Sequence, residues 1–221
     1  MQTKNLKSDL ETIGIKNIYI LSNLKRLNSR KKSDLNVISD KYIRVCVFSR
    51  MNYEKGVEDA IAAVKLANQE LGAQYIALDF YGLVQDYYED RFNELLSENK
   101  GLIKYCGIVD YDNTVETLQQ YFAMLFPTFY YGEGFPGNVV DAYNTGIPII
   151  ATDWMYNKDV IKDGRNGILV PIKNPQAICD ALIQLYRNRK LAYDISCNNI
   201  EDAQIYHPDS VLREFYEYID R

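Results

Sequence analysis

From Tyr42 to Tyr186 the chain alternates two kinds of apolar pattern, and that alternation restricts the fold more than any other feature. The runs YIRVCVFS (42–49), YIALDFYG (75–82), GLIKYCGIV (101–109), AMLFPT (123–128), IPIIA (147–151) and GILV (167–170) are short and rich in β-branched or aromatic residues. Near-continuous apolar runs of this kind suit strands buried on both faces. Between them lie VEDAIAAVKLANQEL (57–71), YYEDRFNELLSEN (87–99), TVETLQQY (114–121) and a run opened by Asn174-Pro175, a cap and first-turn pair that starts a helix. Strands alternating with helices predict right-handed βαβ units. The expected fold class is α/β, a Rossmann-like parallel sheet with helices on both faces. With 221 residues, 47% of them hydrophobic, there is ample material for its core.

Within this frame one stretch stands out, PTFYYGEGFPGNVVDAYNTGIPIIATD (127–153). A glycine-rich loop, Gly132 to Gly137, feeds a helix beginning near Asn138, and a strand follows. Helix N-termini carry unpaired N–H groups and partial positive charge, so they receive anions. Glycines 132, 134 and 137 are expected to let the backbone approach a ligand or take positive φ. Glu133 and Asp141 bracket the turn, the second about two turns into the helix. A second loop, SRMNYEKG (49–56), lies at the carboxyl end of the first regular strand, where open α/β sheets bind ligands. Its Arg50 offers a planar fork for phosphate oxygens and its Lys55 a mobile point charge.

These two loops resemble the nucleotide-sugar and diphosphate motifs of the family-four retaining glycosyltransferases, two-domain enzymes of GT-B architecture. The matching features are Glu-Gly-Phe at 133–135, an acid eight positions after Glu133, Gly-Ile-Pro at 146–148, and Arg50 with Lys55-Gly56 before a helix. The second acid is Asp141 where that family usually has Glu, a shorter reach to a ribose. The resemblance implies that the chain is the donor-binding C-terminal half of a GT-B fold, transferring a sugar with retention from a nucleotide diphosphate-sugar. It assigns catalytic roles to Arg50, Lys55 and Glu133: the cations would hold the diphosphate and stabilise its growing charge, and Glu133 would orient the sugar. Asp141 would take the ribose hydroxyls, backbone groups of Phe135, Gly137, Asn138 and Val139 would face the sugar or phosphate, and Ile108, Val109 and Asp110 would meet the base. It further implies a UDP- or GDP-sugar donor, a glycan or lipid-linked acceptor, and work in surface polysaccharide or glycolipid assembly. No cofactor and no metal is expected, since two cations and a helix N-terminus can neutralise a diphosphate. Asp110-Tyr111-Asp112 matches the Asp-x-Asp metal signature of another transferase architecture, but three residues match often by chance.

By the same resemblance, residues 1–40 form the end of an acceptor domain or a linker, 41–200 the nucleotide-sugar domain, and 201–221 a C-terminal helix that crosses back to an N-terminal domain. A helix end (SDLETIGI) and a short strand (KNIYIL, 16–21) are expected first. The basic run Lys25, Arg26, Arg30, Lys31, Lys32 reads as a solvated linker, with anionic lipid or a lipid-phosphate acceptor as the sharper alternative. The missing half would be an N-terminal domain or a partner subunit; without it the chain would be a nucleotide-sugar module of little or no activity. A net charge of −5 argues against nucleic acid as partner. No apolar run approaches the ~20 residues of a membrane span, so a cytoplasmic protein is expected, with peripheral contact at the inner membrane face. The four cysteines lack any Cys-x-x-Cys pair and read as buried thiols. His207, before Pro208, reads as a loop residue, and the nineteen tyrosines mostly as packing, with Tyr130 and Tyr131 placed to touch a sugar. No Gly-x-Gly-x-x-Gly follows a strand and no P-loop occurs, which removes the commonest other nucleotide sites.

Overall fold

The computed structural model describes residues 2–26 and 28–219. In chain order its elements are α1 (Lys4–Thr12), β1 (Ile43–Phe48), α2 (Val57–Leu71), β2 (Ile76–Tyr81), α3 (Glu89–Glu98), β3 (Ile103–Tyr105), α4 (Thr114–Leu118) and β4 (Ala123–Phe126). There follow α5 (Gly137–Thr145), β5 (Ile149–Thr152), α6 (Asn157–Val160), β6 (Ile168–Val170), α7 (Pro175–Arg187), α8 (Arg189–Ala203) and α9 (Pro208–Ile219). All strand pairs are parallel, and the order across the six-stranded sheet is β3-β2-β1-β4-β5-β6. The order reverses between β1 and β4, which opens a crevice beyond their carboxyl ends.

Each strand divides its side chains between two cores, as the period of two requires. Val45, Val47, Leu78, Phe80, Ala123, Leu125 and Ile150 face one layer, where α2 packs on α7 and α3 adds Phe92 and Leu95. Cys46, Tyr81, Met124, Phe126, Ile149 and Ala151 face the other, covered by α4, α5 and α8. Helices therefore lie on both faces, as the sequence predicts. Asn174 caps α7 by accepting the Ala177 N–H, with Pro175 in the first turn.

Four expectations need correction. Residues 16–21 join no strand; Tyr19 instead stacks on Tyr218 and Phe215 of α9, with ring centroids 4.3 and 5.8 Å away. Residues 201–207 of the expected C-terminal helix belong instead to the end of α8, which the Asn188 side chain starts by accepting the Leu191 N–H, and to the turn after it. β3 is shorter than 101–109 because the chain leaves the sheet at Cys106 and Gly107, the latter at φ 81°. The basic run is solvated only in part: Arg26, Lys31 and Lys32 are exposed, but Arg30 N–H donates to the Asn144 carbonyl, Lys32 pairs with Glu201, and Lys25 with Asp141, so these residues lie against α5 and α8. α9 begins at Pro208, directly after His207; positions 220 and 221 of the expected helix lie outside the described residues. Among the described residues no helix is long and apolar enough to cross a membrane.

Candidate functional site

A cavity of about 380 Å³ occupies the crevice at the carboxyl ends of β1, β2 and β3 and the N-terminus of α5. That volume falls within the range of small-ligand sites. Arg50, Lys55, Glu133 and Asp141 all line it, so residues up to 91 positions apart meet on one wall (50 to 141).

The Lys-Gly pair places the buried lysine. Asn52 accepts the Lys55 N–H on its side chain, closing a turn that Gly56 leaves at φ 72°. A Cβ at Gly56 would stand 2.2 Å from the Pro127 carbonyl oxygen, so only glycine lets this turn press against the end of β4. Lys55, 6% exposed, then reaches Glu133 Oε2 at 2.5 Å and lies 5.0 Å above the Tyr130 ring. Thr128, wholly buried, donates its hydroxyl to the same oxygen at 2.9 Å. Among the described residues nothing donates to Glu133 Oε1, so that oxygen is available to a ligand on the cavity side. Arg50 is exposed, its guanidinium 5.9 Å from the Tyr130 ring centre. The wall between them passes Gly82, at φ 131°, where a Cβ would meet the Ser49 carbonyl oxygen at 2.0 Å.

Asp141 is 1% exposed, and both its oxygens accept from Lys25 Nζ at 2.6 Å. Burial pushes its carboxyl above the usual carboxylate range, against a downward pull from Lys25. Since α5 starts at Gly137, Asp141 sits about one turn in, not two. Gly137 and Asn138 supply the unpaired N–H groups of the first turn to the cavity, and the Asn138 side chain donates to the Phe48 carbonyl at 3.0 Å.

Other predicted residues fare unevenly. Ile108 and Val109 line the cavity from the loop after β3. Phe135 lines it too, but its N–H donates to the Gln2 side chain at 3.2 Å and is not free for a sugar hydroxyl. Val139 does not line the cavity: it is fully buried and its N–H goes to the Pro136 carbonyl at 3.2 Å. Asp110 is exposed and off the cavity wall. None of glycines 132, 134 and 137 has positive φ. The one group of three potential metal-ligating side chains among the described residues, Glu70, Cys179 and Asp180, belongs to the α2–α7 side and includes neither Asp110 nor Asp112. The Tyr130 ring lies under the two cations, while Tyr131 is exposed, edge-on to Trp154. His207 accepts the Asp209 N–H at the start of α9. Of the four thiols, Cys46, Cys179 and Cys197 are buried and Cys106 partly so.

Sequence reasoning missed Thr128, Asn23, Gln2 and Lys25. Thr128 stands two residues past the end of β4 and could have been suspected; the others come from a segment without periodicity, whose contacts depend on tertiary packing.

The sequence pattern described as "Glycosyl transferases group 1" matches residues 28–202. The chain is 24% identical over 208 residues to the poly(ribitol-phosphate) alpha-N-acetylglucosaminyltransferase of Staphylococcus aureus, covering 93% of this chain and 40% of that protein. It is 26% identical over 123 residues to an N,N'-diacetylbacillosaminyl-diphospho-undecaprenol alpha-1,3-N-acetylgalactosaminyltransferase of Campylobacter jejuni, covering 56% of this chain and 32% of the relative. The chain thus spans well under two thirds of either relative. Among solved structures, the pneumococcal O-GlcNAc transferase GtfA in complex with UDP and GlcNAc superposes with a TM-score of 0.77 at 18% identity, covering 99% of this chain and 44% of GtfA. At that identity the likeness concerns the fold.

Proposed function

We propose, from the premise that this chain belongs to the group 1 glycosyl transferases, that it is the donor-binding part of a transferase that uses a nucleotide diphosphate-sugar and retains the anomeric configuration. The observation that carries this reading is the convergence of Arg50, Lys55, Glu133, Asp141 and the N-terminus of α5 on one cavity. A diphosphate lies between Arg50, Lys55 and the first N–H groups of α5, where two cations and a helix dipole oppose its charge. As the glycosidic bond breaks, negative charge grows on the departing phosphate, and Lys55, held by Glu133, and the N–H groups of α5 stabilise it with little reorganisation, together with Arg50. The ammonium of Lys55 has three donors, so it can keep Glu133 and still meet a phosphate oxygen. Glu133 Oε1 accepts a sugar hydroxyl. Asp141 accepts from the ribose, and Ile108 and Val109 pack on the base.

A uridine nucleotide is favoured over guanosine, since GtfA was crystallised with UDP. The acceptor is a glycan or lipid-linked saccharide held by an N-terminal domain or partner subunit, in surface polysaccharide or glycolipid assembly at the cytoplasmic membrane face. Diphosphate neutralisation is metal-free. A second reading is a nucleotide-sugar-binding module that works with a separate acceptor-binding chain. Calorimetric titration of UDP, GDP and ADP, alone and as sugar conjugates, tests the donor assignment; NAD⁺ and ATP serve as controls. Binding that survives excess chelator and weakens in Arg50→Ala and Lys55→Ala is expected. Unchanged affinity in both variants, or none for any nucleotide sugar, would remove the proposal.

A further inference from the structure

We propose that Lys25 is itself a donor-binding residue, forming with Asp141 a dyad that reads the ribose diol of the nucleotide. The inference rests on the nucleotide-sugar reading of the cavity and adds a residue from outside its loops. Lys25 comes from a segment 116 positions before Asp141, and both line the cavity. The carboxylate is 2% exposed at its side chain and the lysine 24%, so the open side of the pair belongs to the ammonium.

The chemistry follows from counting donors and acceptors. An ammonium has three N–H groups, and Asp141 takes two of them, one per oxygen at 2.6 Å. The third remains on the cavity side. A carboxylate offers about four acceptor directions, so each Asp141 oxygen keeps one. One ribose hydroxyl can therefore accept from the ammonium while its vicinal neighbour donates to an Asp141 oxygen. Lys25 also complements the short reach of Asp141, since its ammonium is the more exposed partner of the pair. The segment is fixed for this role. The Asn23 side chain donates to the Phe135 carbonyl at 3.1 Å, and a Cβ at Gly137 would stand 3.5 Å from Lys25 Cε, in contact with the lysine stem. A purely structural ion pair would give no reason for the ammonium to line the cavity.

The test compares a ribonucleoside diphosphate with its 2′,3′-dideoxy counterpart by calorimetry, using whichever of UDP, GDP and ADP the wild-type chain binds. Wild type should prefer the ribonucleotide. Lys25→Met should weaken ribonucleotide binding about tenfold or more, as expected for loss of a charged hydrogen bond, and leave the dideoxy affinity unchanged. Lys25→Arg should restore part of the preference. Circular dichroism checks that each variant is folded, and Lys25→Gln, of similar length, replaces the Met variant if that one is not. A preference that persists in the folded variant would overturn the proposal. So would tighter binding of both nucleotides, the signature of a removed plug. Wild type binding none of the three would instead strike at the nucleotide-sugar reading, a distinct failure.

Discussion

Two carboxylates, Asp79 buried within β2 and Glu133 half-buried beyond β4, have the same kinds of partner and opposite surroundings. Asp79, 2% exposed, accepts from Arg44 Nε at 2.9 Å and from its NH2 group, and from the Tyr121 hydroxyl at 2.7 Å. The Tyr121 hydroxyl in turn lies 2.8 Å from that of Tyr81. Both carboxylate oxygens are used, and burial and these partners push the Tyr121 hydroxyl far above its ordinary range. Glu133 also has a cation and a hydroxyl, but Lys55 and Thr128 converge on one of its oxygens. The first network is closed and serves the fold; the second withholds an acceptor for a ligand. A buried polar group is costly when unpaired, so an open valence beside a cavity marks function better than the presence of charge does.

The largest effect should come from opening the closed network. Arg44→Met leaves Asp79 in the core with only a phenol to meet it, and should destabilise the chain by about 2–4 kcal/mol, somewhat below a fully buried pair because the guanidinium is half exposed. Chemical denaturation measures this. Donor affinity measured in native buffer should stay within about twofold, as the two networks share no residue. A large loss of affinity would mean that the two regions are coupled.

Lys55→Ala should produce the converse. It removes a cation from the open network, and nucleoside diphosphate affinity should fall about 100-fold, the equivalent of roughly 2.8 kcal/mol at ~1.4 kcal/mol per tenfold change. Loss of stability without loss of affinity would place Lys55 with Arg44 as a fold residue. Tyr121→Phe should cost only about 1 kcal/mol of stability, since Arg44 still meets Asp79. Thermal or urea melts resolve that difference, and a cost as large as that of Arg44→Met would show the phenol to be an equal partner.

The comparison also explains what could be read from the chain. The strand pattern located β1, β2, β4 and β5, because period and burial act locally. That Arg50, Lys55, Glu133 and Asp141 line one cavity was legible because they stand in two loops at strand ends that resemble known donor motifs. The end of β3 was not, since Cys106 to Val109 are as apolar as a strand yet follow a turn at Gly107 out of the sheet. Val139 lies off the cavity for a related reason: helix phase puts it in the core while Asn138 and Asp141 line the cavity. Lys25 carries no local mark at all. A lysine in a polar run looks solvated until the fold brings a buried aspartate to it.

The smallest effect concerns that aspartate. Asp141 has its folded carboxyl raised by burial, despite Lys25. In the interval between the unfolded carboxylate value, about 3.9, and the raised folded one, the native state binds more protons than the unfolded state. Stability from this group is therefore greatest below the interval and falls as pH rises through it. Asp141→Asn removes the titration, so the melting temperature of wild type relative to the variant should decline from about pH 3.5 upward and level off once the folded carboxyl has ionised. The opposite slope, with wild type gaining on the variant as pH rises, would mean that Lys25 outweighs desolvation. Asp141 would then behave as a closed salt bridge of the Asp79 kind, and the contrast between the two regions would rest on Glu133 alone.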